Sequence, residues 1–241
     1  MKIIFAGTSH GIPEKDRFCS SCFLLVGERC YVIDAGAPIS QLLLRYGIRH
    51  ADVKGIFVTH LHGDHFNGLP EFCEQVSWYY TAADPDIFLP DERGVRLLEN
   101  WVEEIAPVGR RRALKYHTYT PGCIFDDGSV RVTAMATRHN LEKSHAFKIE
   151  AKGRKLLFTG DMSHNFTEFQ ALHSNEDYDL IVCESAHCFD FRDVADVVST
   201  ARTKNFVINH FNPAKQEGVQ AFQNIAPWNC TVAYDGYVMD M

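Results

Sequence analysis

At 241 residues, with 46% apolar and 23% charged side chains, the chain has ordinary globular composition, which excludes a disordered, collagen-like or coiled-coil protein. No apolar run approaches the roughly 20 residues that cross a bilayer. A net charge of −7 gives no general attraction for nucleic acid or anionic membranes.

In chain order, Lys2 to Ala6, Phe23 to Val26 and Cys30 to Asp34 read as short strands. The opening Met1-Lys2-Ile3-Ile4-Phe5-Ala6-Gly7 is too short and too soon broken by glycine for a signal peptide. The eight cysteines are therefore expected as reduced thiols in a cytoplasmic protein, with Cys19 and Cys22 at CxxC spacing but no second such pair. Ile39 to Tyr46 has helical spacing and stops at Gly47. Gly55 to Thr59 is an apolar, β-branched strand, and a helix runs from Gly68 through Phe72, Val76 and Tyr80.

From 82 to 122, Pro85, Pro90, Pro107 and Pro121 punctuate one helical stretch near Val95 to Ile105. This segment reads as an insertion or lid carrying Trp101 and the basic run Arg110-Arg111-Arg112 with Lys115. It is either a solvated face or an anion-binding arm, and it could serve as a homodimer contact. Strands resume at Ser129 to Ala136, Ala146 to Ala151, Lys155 to Thr159, Tyr178 to Cys183 and Asn205 to Asn209. A last apolar stretch, Thr231 to Met239, is broken at Asp235-Gly236. Helices are expected at Glu168 to His173, Phe191 to Thr203 and Lys215 to Ile225. Strands with interspersed helices predict a layered α/β fold, and with no repeat or Gly/Ser linker a single domain over residues 1–241 is expected.

The segment Thr59-His60-Leu61-His62-Gly63-Asp64-His65 carries three imidazoles and a carboxylate in six residues. Neither the strand nor the helix period would keep them on one face, so a turn must converge them at the carboxyl end of the preceding strand. Three more metal-competent side chains, His139, Asp161 and His210, each follow an apolar strand. Imidazole and carboxylate together suit zinc, iron or manganese, and two such ions could hold a hydroxide between them.

The His60/His62/Asp64/His65 cluster resembles the HxHxDH signature of the metallo-β-lactamase superfamily, and His139, Asp161 and His210 resemble its remaining ligand blocks. The resemblance implies a four-layer αββα sandwich with a dinuclear site at one edge. It implies that His60, His62 and His139 hold one metal and Asp64, His65 and His210 the other, with Asp161 as the bridge. Zinc is the expected ion, with manganese or iron as alternatives. Asp64 and Asp161 would also orient the attacking hydroxide.

The segment Phe5-Ala6-Gly7-Thr8-Ser9-His10-Gly11-Ile12-Pro13, with Lys15-Asp16-Arg17 and Ser20-Ser21, is similar to the opening of the ribonuclease Z and cyclic phosphodiesterase branch. By that likeness Ser9, Arg17 and Ser20 would hold phosphate oxygens. Two departures stand out. His139 and Asp161 are only 22 positions apart, which leaves no room for the long substrate arm of ribonuclease Z. Cys183 occupies the place of that family's catalytic histidine in Val182-Cys183-Glu184-Ser185-Ala186-His187.

The expected activity is a dinuclear metal-dependent hydrolase, a phosphodiesterase acting on a small phosphorylated molecule. An acyl or thioester hydrolase, a ribonuclease Z-like endonuclease and a metal-binding sensor or scaffold are the alternatives. His187 and His164 are the candidate proton donors. Asp34 and Glu184 are candidates for orienting histidines through hydrogen bonds.

Overall fold

The computed structural model describes residues 1–106, 109, 111–140, 142–174 and 176–241. The chain runs through β1 (Lys2–Gly7), β2 (Ser21–Val26), β3 (Arg29–Ile33), α1 (Ile39–Arg45), β4 (Val53–Phe57), α2 (Gly63–Phe66) and α3 (Leu69–Trp78). It continues through β5 (Asp86–Leu89), α4 (Glu92–Ile105), β6 (Lys115–Thr118), β7 (Gly122–Asp126), β8 (Val130–His139), β9 (Glu142–Ala151) and β10 (Arg154–Phe158). It ends with α5 (Phe169–His173), β11 (Asp177–Glu184), α6 (Ala195–Val198), β12 (Arg202–Asn209), α7 (Gln216–Gln223), β13 (Asn229–Val232) and β14 (Tyr237–Asp240). These elements gather into two compact units. No helix among the described residues is long and apolar enough to cross a membrane.

The first unit comprises residues 1–7, 11–119 and 235–241. Its sheet has the order β14-β1-β2-β3-β4-β5-β6. Neighbours from β14 to β3 are antiparallel, and those from β3 to β6 are parallel. Parallel neighbours need crossover connections, and α1, α3 and α4 lie in them. Ile39, Leu42 and Leu43 of α1, Leu69, Phe72, Cys73 and Val76 of α3, and Leu98 and Val102 of α4 recur at helical spacing. They share one core with Ile4, Phe23, Val32, Ile56 and Ile87 of the strands.

The segment 82–122 is read differently once folded. β5 pairs in parallel with β4, and β6 with β5, so this stretch widens the sheet instead of capping it. Its described prolines lie between elements: Pro85 immediately precedes β5, Pro90 immediately follows it and Pro121 immediately precedes β7. The strands escaped the sequence reading because each has only four residues. Pro107 and Arg110 lie outside the described residues.

The second unit comprises residues 8–10 and 120–234. Its sheet has the order β13-β12-β11-β10-β9-β8-β7. The β7 to β10 half is antiparallel and the β10 to β13 half parallel. Leu157, Ile181, Cys183, Phe206 and Ile208 join Phe169, Leu172, Phe191, Val198, Val219 and Phe222 in its core.

The helix expected over Phe191 to Thr203 is a 3-10 turn, Phe191–Val194, followed by α6. From Arg202 the chain is drawn into the sheet by pairing with β11, Asp177↔Arg202 and Tyr178↔Thr203. The last apolar stretch is divided at Asp235-Gly236, with β13 in the second sheet and β14 in the first. Gly236 supplies the positive φ of +90° that this turn requires.

Candidate functional site

In the first unit, β3 and β4 are parallel neighbours paired up to Ile33↔Phe57, so the residues that follow them emerge side by side. Asp34 follows β3 with φ +58°, a conformation uncommon for a non-glycine residue. Its Oδ1 accepts hydrogen bonds from the Thr59 N–H at 2.7 Å and the Thr59 hydroxyl at 3.0 Å. Its Oδ2 lies 2.7 Å from His65 Nδ1. A carboxylate only accepts, so Nδ1 of that ring carries the proton and Nε2 is the nitrogen left to bind a metal.

Thr59 Oγ1 is also 3.1 Å from His60 Nδ1, so the Asp34 carboxylate braces His65 directly and His60 through the Thr59 hydroxyl. The His60 ring lies 4.6 Å from His62 and 4.2 Å from His65, centroid to centroid. Asp64 Oδ2 lies 3.4 Å from His65 Nε2. His60, Asp64 and His65 are buried, and His62 is half-buried. Gly36 fixes the loop facing them. It donates from its N–H to the Ser20 carbonyl at 2.9 Å, and a Cβ on it would stand 1.8 Å from the Asp64 carbonyl oxygen.

In the second unit, three imidazoles converge on one carboxylate oxygen. Asp161 Oδ2 is 3.7 Å from His139 Nε2, 3.7 Å from His187 Nε2 and 3.5 Å from His210 Nε2. Asp161, His139 and His210 are buried. His210, like Asp34, has positive φ, +47°. Such strain persists only where the surroundings over-determine it, and it concentrates at functional sites.

Glu184 ends β11 and Cys183 precedes it, so strand alternation sends them to opposite faces. Cys183 joins the core, where burial pushes its thiol well above the ordinary value. Glu184 Oε2 instead lies 3.2 Å from His187 Nδ1 and accepts the His187 N–H at 2.9 Å. Glu184 Oε1 accepts the Met162 N–H at 3.0 Å.

The structure thus brings together His60, His62, Asp64, His65 and Asp34 in one unit, and His139, Asp161, His187, His210 and Glu184 in the other. His60 and His62 can offer ligand atoms within 4.8 Å of each other, as can Asp64 and His65, and as can Asp161, His187 and His210. A buried donor set of imidazole and carboxylate, without thiolate, fits zinc or another divalent transition ion.

Of the two candidate proton donors, only His187 belongs to such a cluster. His164 is exposed, donates from Nδ1 to the His187 carbonyl at 2.6 Å and stacks on Phe189. Ser9 is buried and bridges to Phe211, the residue after His210. Ser20 is buried beside Gly36. Arg17 lines a cavity of about 410 Å³ with Lys15, Arg45 and Asp235. Partial burial pulls its pKa down, against the opposing charges of Asp235 and Glu14.

The described members of the basic run, Arg111, Arg112 and Lys115, are paired inside their own unit. Arg111 pairs with Glu103, and Arg112 and Lys115 both pair with Asp84. This favours the solvated face over the anion-binding arm.

Two residues in these networks have no signal in the sequence. Thr59 is visible only as the neighbour of His60. Glu168 reads as the start of a helix, yet its Oε1 accepts the N–H groups of Arg138 and Ser163 at 3.0 and 2.9 Å. Burial works to raise the Glu168 pKa, and these hydrogen bonds with that of the Ser163 hydroxyl outweigh it, so the pKa stands below its ordinary value.

A sequence profile of the family described as "Anti-Pycsar protein Apyc1" matches residues 1–220. The ribonuclease Z of Microcystis aeruginosa is 30% identical over 156 residues, covering 64% of this chain and 48% of the relative. That of Anoxybacillus flavithermus is 35% identical over 159 residues, covering 63% and 49%. The chain spans about half the length of these curated relatives. Among solved structures, the metallo-beta-lactamase fold protein YhfI from Bacillus subtilis superposes with a TM-score of 0.78 at 16% identity, covering 99% of both chains. Human tRNase Z, short form, gives 0.75 at 21% identity, covering 100% of this chain and 99% of that one. The fold is the α/β fold of the metallo-β-lactamase superfamily, as the histidine signature implied.

Proposed function

The chain belongs to the family described as anti-Pycsar protein Apyc1, and from that premise we propose that it is a dinuclear metal-dependent hydrolase, a phosphodiesterase acting on a small phosphodiester. The observation that carries this reading is the convergence of His139, His187 and His210 on Asp161 Oδ2 at 3.5–3.7 Å. The buried His139 and His210 beside that buried carboxylate are the kind of donor set a divalent cation takes, and the half-buried His187 stands next to them.

His60, His62 and His139 would hold one ion, Asp64, His65 and His210 the other, and Asp161 would contact both. Bound cations of this kind supply charge neutralisation at a phosphoryl group and a water acidic enough to act near neutral pH. Asp34 holds the His65 ring by Nδ1. Glu184 holds the His187 ring by Nδ1 and leaves Nε2 facing Asp161, so His187 protonated on both nitrogens would hand the Nε2 proton to the departing oxygen. Ser9 and Ser20, both buried, would face substrate oxygens.

A small substrate is favoured by the connection between β8 and β9. His139 pairs with Glu142 and stands only 22 positions before Asp161, so the chain has no room there for a long arm that would hold a large polynucleotide. The identities of 30% and 35% to ribonuclease Z proteins favour an RNA endonuclease as the second reading.

The test is elemental analysis of metal per chain together with turnover of bis(p-nitrophenyl) phosphate, cyclic nucleotides and a precursor transfer RNA. About two ions per chain, with metal-dependent cleavage of the small phosphodiesters, is the expected result. Cleavage of precursor transfer RNA alone selects the second reading. Failure to take up zinc, manganese or iron would overturn the metal centre itself.

A further inference from the structure

We propose that Glu168 is a positioning residue that sets His139 and Asp161 in register for metal binding by gripping the backbone next to each. This inference rests on the metal centre proposed above. Glu168 Oε1 accepts the N–H of Arg138, the residue before His139, at 3.0 Å. The same oxygen accepts the N–H of Ser163, two residues beyond Asp161, at 2.9 Å. Oε2 accepts the Ser163 hydroxyl at 2.6 Å and lies 3.2 Å from Thr167 Oγ1. One carboxylate therefore joins the end of β8 to the loop that follows β10.

The sheet leaves that junction to be made by a side chain. β7 accompanies β8 only as far as Gly122↔Ala134, so Arg138 lies beyond the last β7 pair and its N–H is satisfied by Glu168. The Asp161 loop has left its strand as well, since β10 ends at Phe158. Charge-assisted hydrogen bonds are about twice as strong as neutral ones, and here one anion fixes both segments.

The grip is itself anchored. Glu168 lies immediately before α5, between the fully buried Phe166 and Phe169. Phe166 donates its N–H to the Ser163 carbonyl at 2.9 Å. The Glu168 carboxylate touches neither ligand side chain in these bonds. It acts on where their backbones stand.

The experiment is a Co²⁺ and Zn²⁺ titration of the full chain, stripped of metal, followed by affinity and by the cobalt d–d absorption bands. Three variants are compared with the wild type. Glu168→Ala should weaken binding by about 10–100-fold, the range for residues supporting metal ligands, and should alter the cobalt bands. Glu168→Gln keeps an oxygen for both N–H groups and should restore both readouts. Glu168→Asp keeps the charge but retracts it by one methylene, so it should behave like Glu168→Ala. If Glu168→Ala loses its far-ultraviolet circular dichroism, the Asp and Gln pair decides by the same readouts. Wild-type affinity and cobalt bands in Glu168→Ala or Glu168→Asp, beside a metal-loaded wild type, would overturn the positioning role alone. A wild type that takes up no metal would overturn the proposed function and this inference with it.

Discussion

His187 is held through its Nδ1 by Glu184 and faces Asp161 with Nε2. It is half-buried, in contrast to the buried His139 and His210. A half-open imidazole fixed at one nitrogen suits proton transfer better than permanent ligation. His187→Ala is therefore expected to lower kcat by about 10²–10⁴-fold with metal content unchanged, measured by turnover and elemental analysis on one sample. Loss of metal in that variant would make His187 a ligand instead. The histidines and aspartates of this region were legible in the sequence because few residue types bind metals and theirs recur after apolar strands. Thr59 and Glu168 were not. Thr59 acts partly through its own backbone N–H and Glu168 through the N–H groups of other residues, a donor that every residue but proline carries, so no spacing rule marks them.

Between elements, Asp179 ties three parallel strands together. Its carboxylate accepts from Arg154 and the Lys155 N–H on β10 and from Lys204 on β12. Burial works to raise its pKa, but the hydrogen bonds from Lys204, Lys155 and Arg154 outweigh it and hold it at about 2. The folded value lies below the unfolded one of about 3.9, so its contribution is present above that pH and is lost as pH falls towards 2. That contribution is roughly 1–2 kcal/mol, the lower end allowing for solvent screening. In urea unfolding, the stability gap between wild type and Asp179→Asn should be full at pH 6 and shrink between about pH 4 and 2. A gap independent of pH would show that the acid's charge is not what matters.

Strand alternation and helical spacing made most elements readable from sequence. They failed for β5 and β6, which have only four residues each, and for β7, none of whose five residues is buried. Strands this short carry too few alternations to display a period, and their identity comes from the neighbours they pair with.

At the scale of the whole molecule, the eight cysteines are all free thiols, and Cys123 is the exposed one. Burial pushes Cys73, Cys188 and Cys230 up to about 12 and Cys19 to about 11, which keeps them protonated and slow to react. Titration with an aromatic disulfide at pH 8 should count one fast thiol in the native protein and eight in denaturant. Several fast native thiols would contradict this packing. The fold class was legible because its signature is chemical as well as periodic. One pairing has a kinetic meaning. β1 is flanked by β2 on one side and by β14 on the other, Lys2↔Asp240 through Phe5↔Tyr237. During synthesis from the amino terminus, the first sheet keeps an open edge along β1 until residues 237–240 have left the ribosome. Unpaired edges of this kind recruit foreign strands, and closure across so long a chain separation is slow. Until residues 237–240 emerge and pair, a nascent chain therefore carries β1 as an edge strand, a position that β14 takes over afterwards.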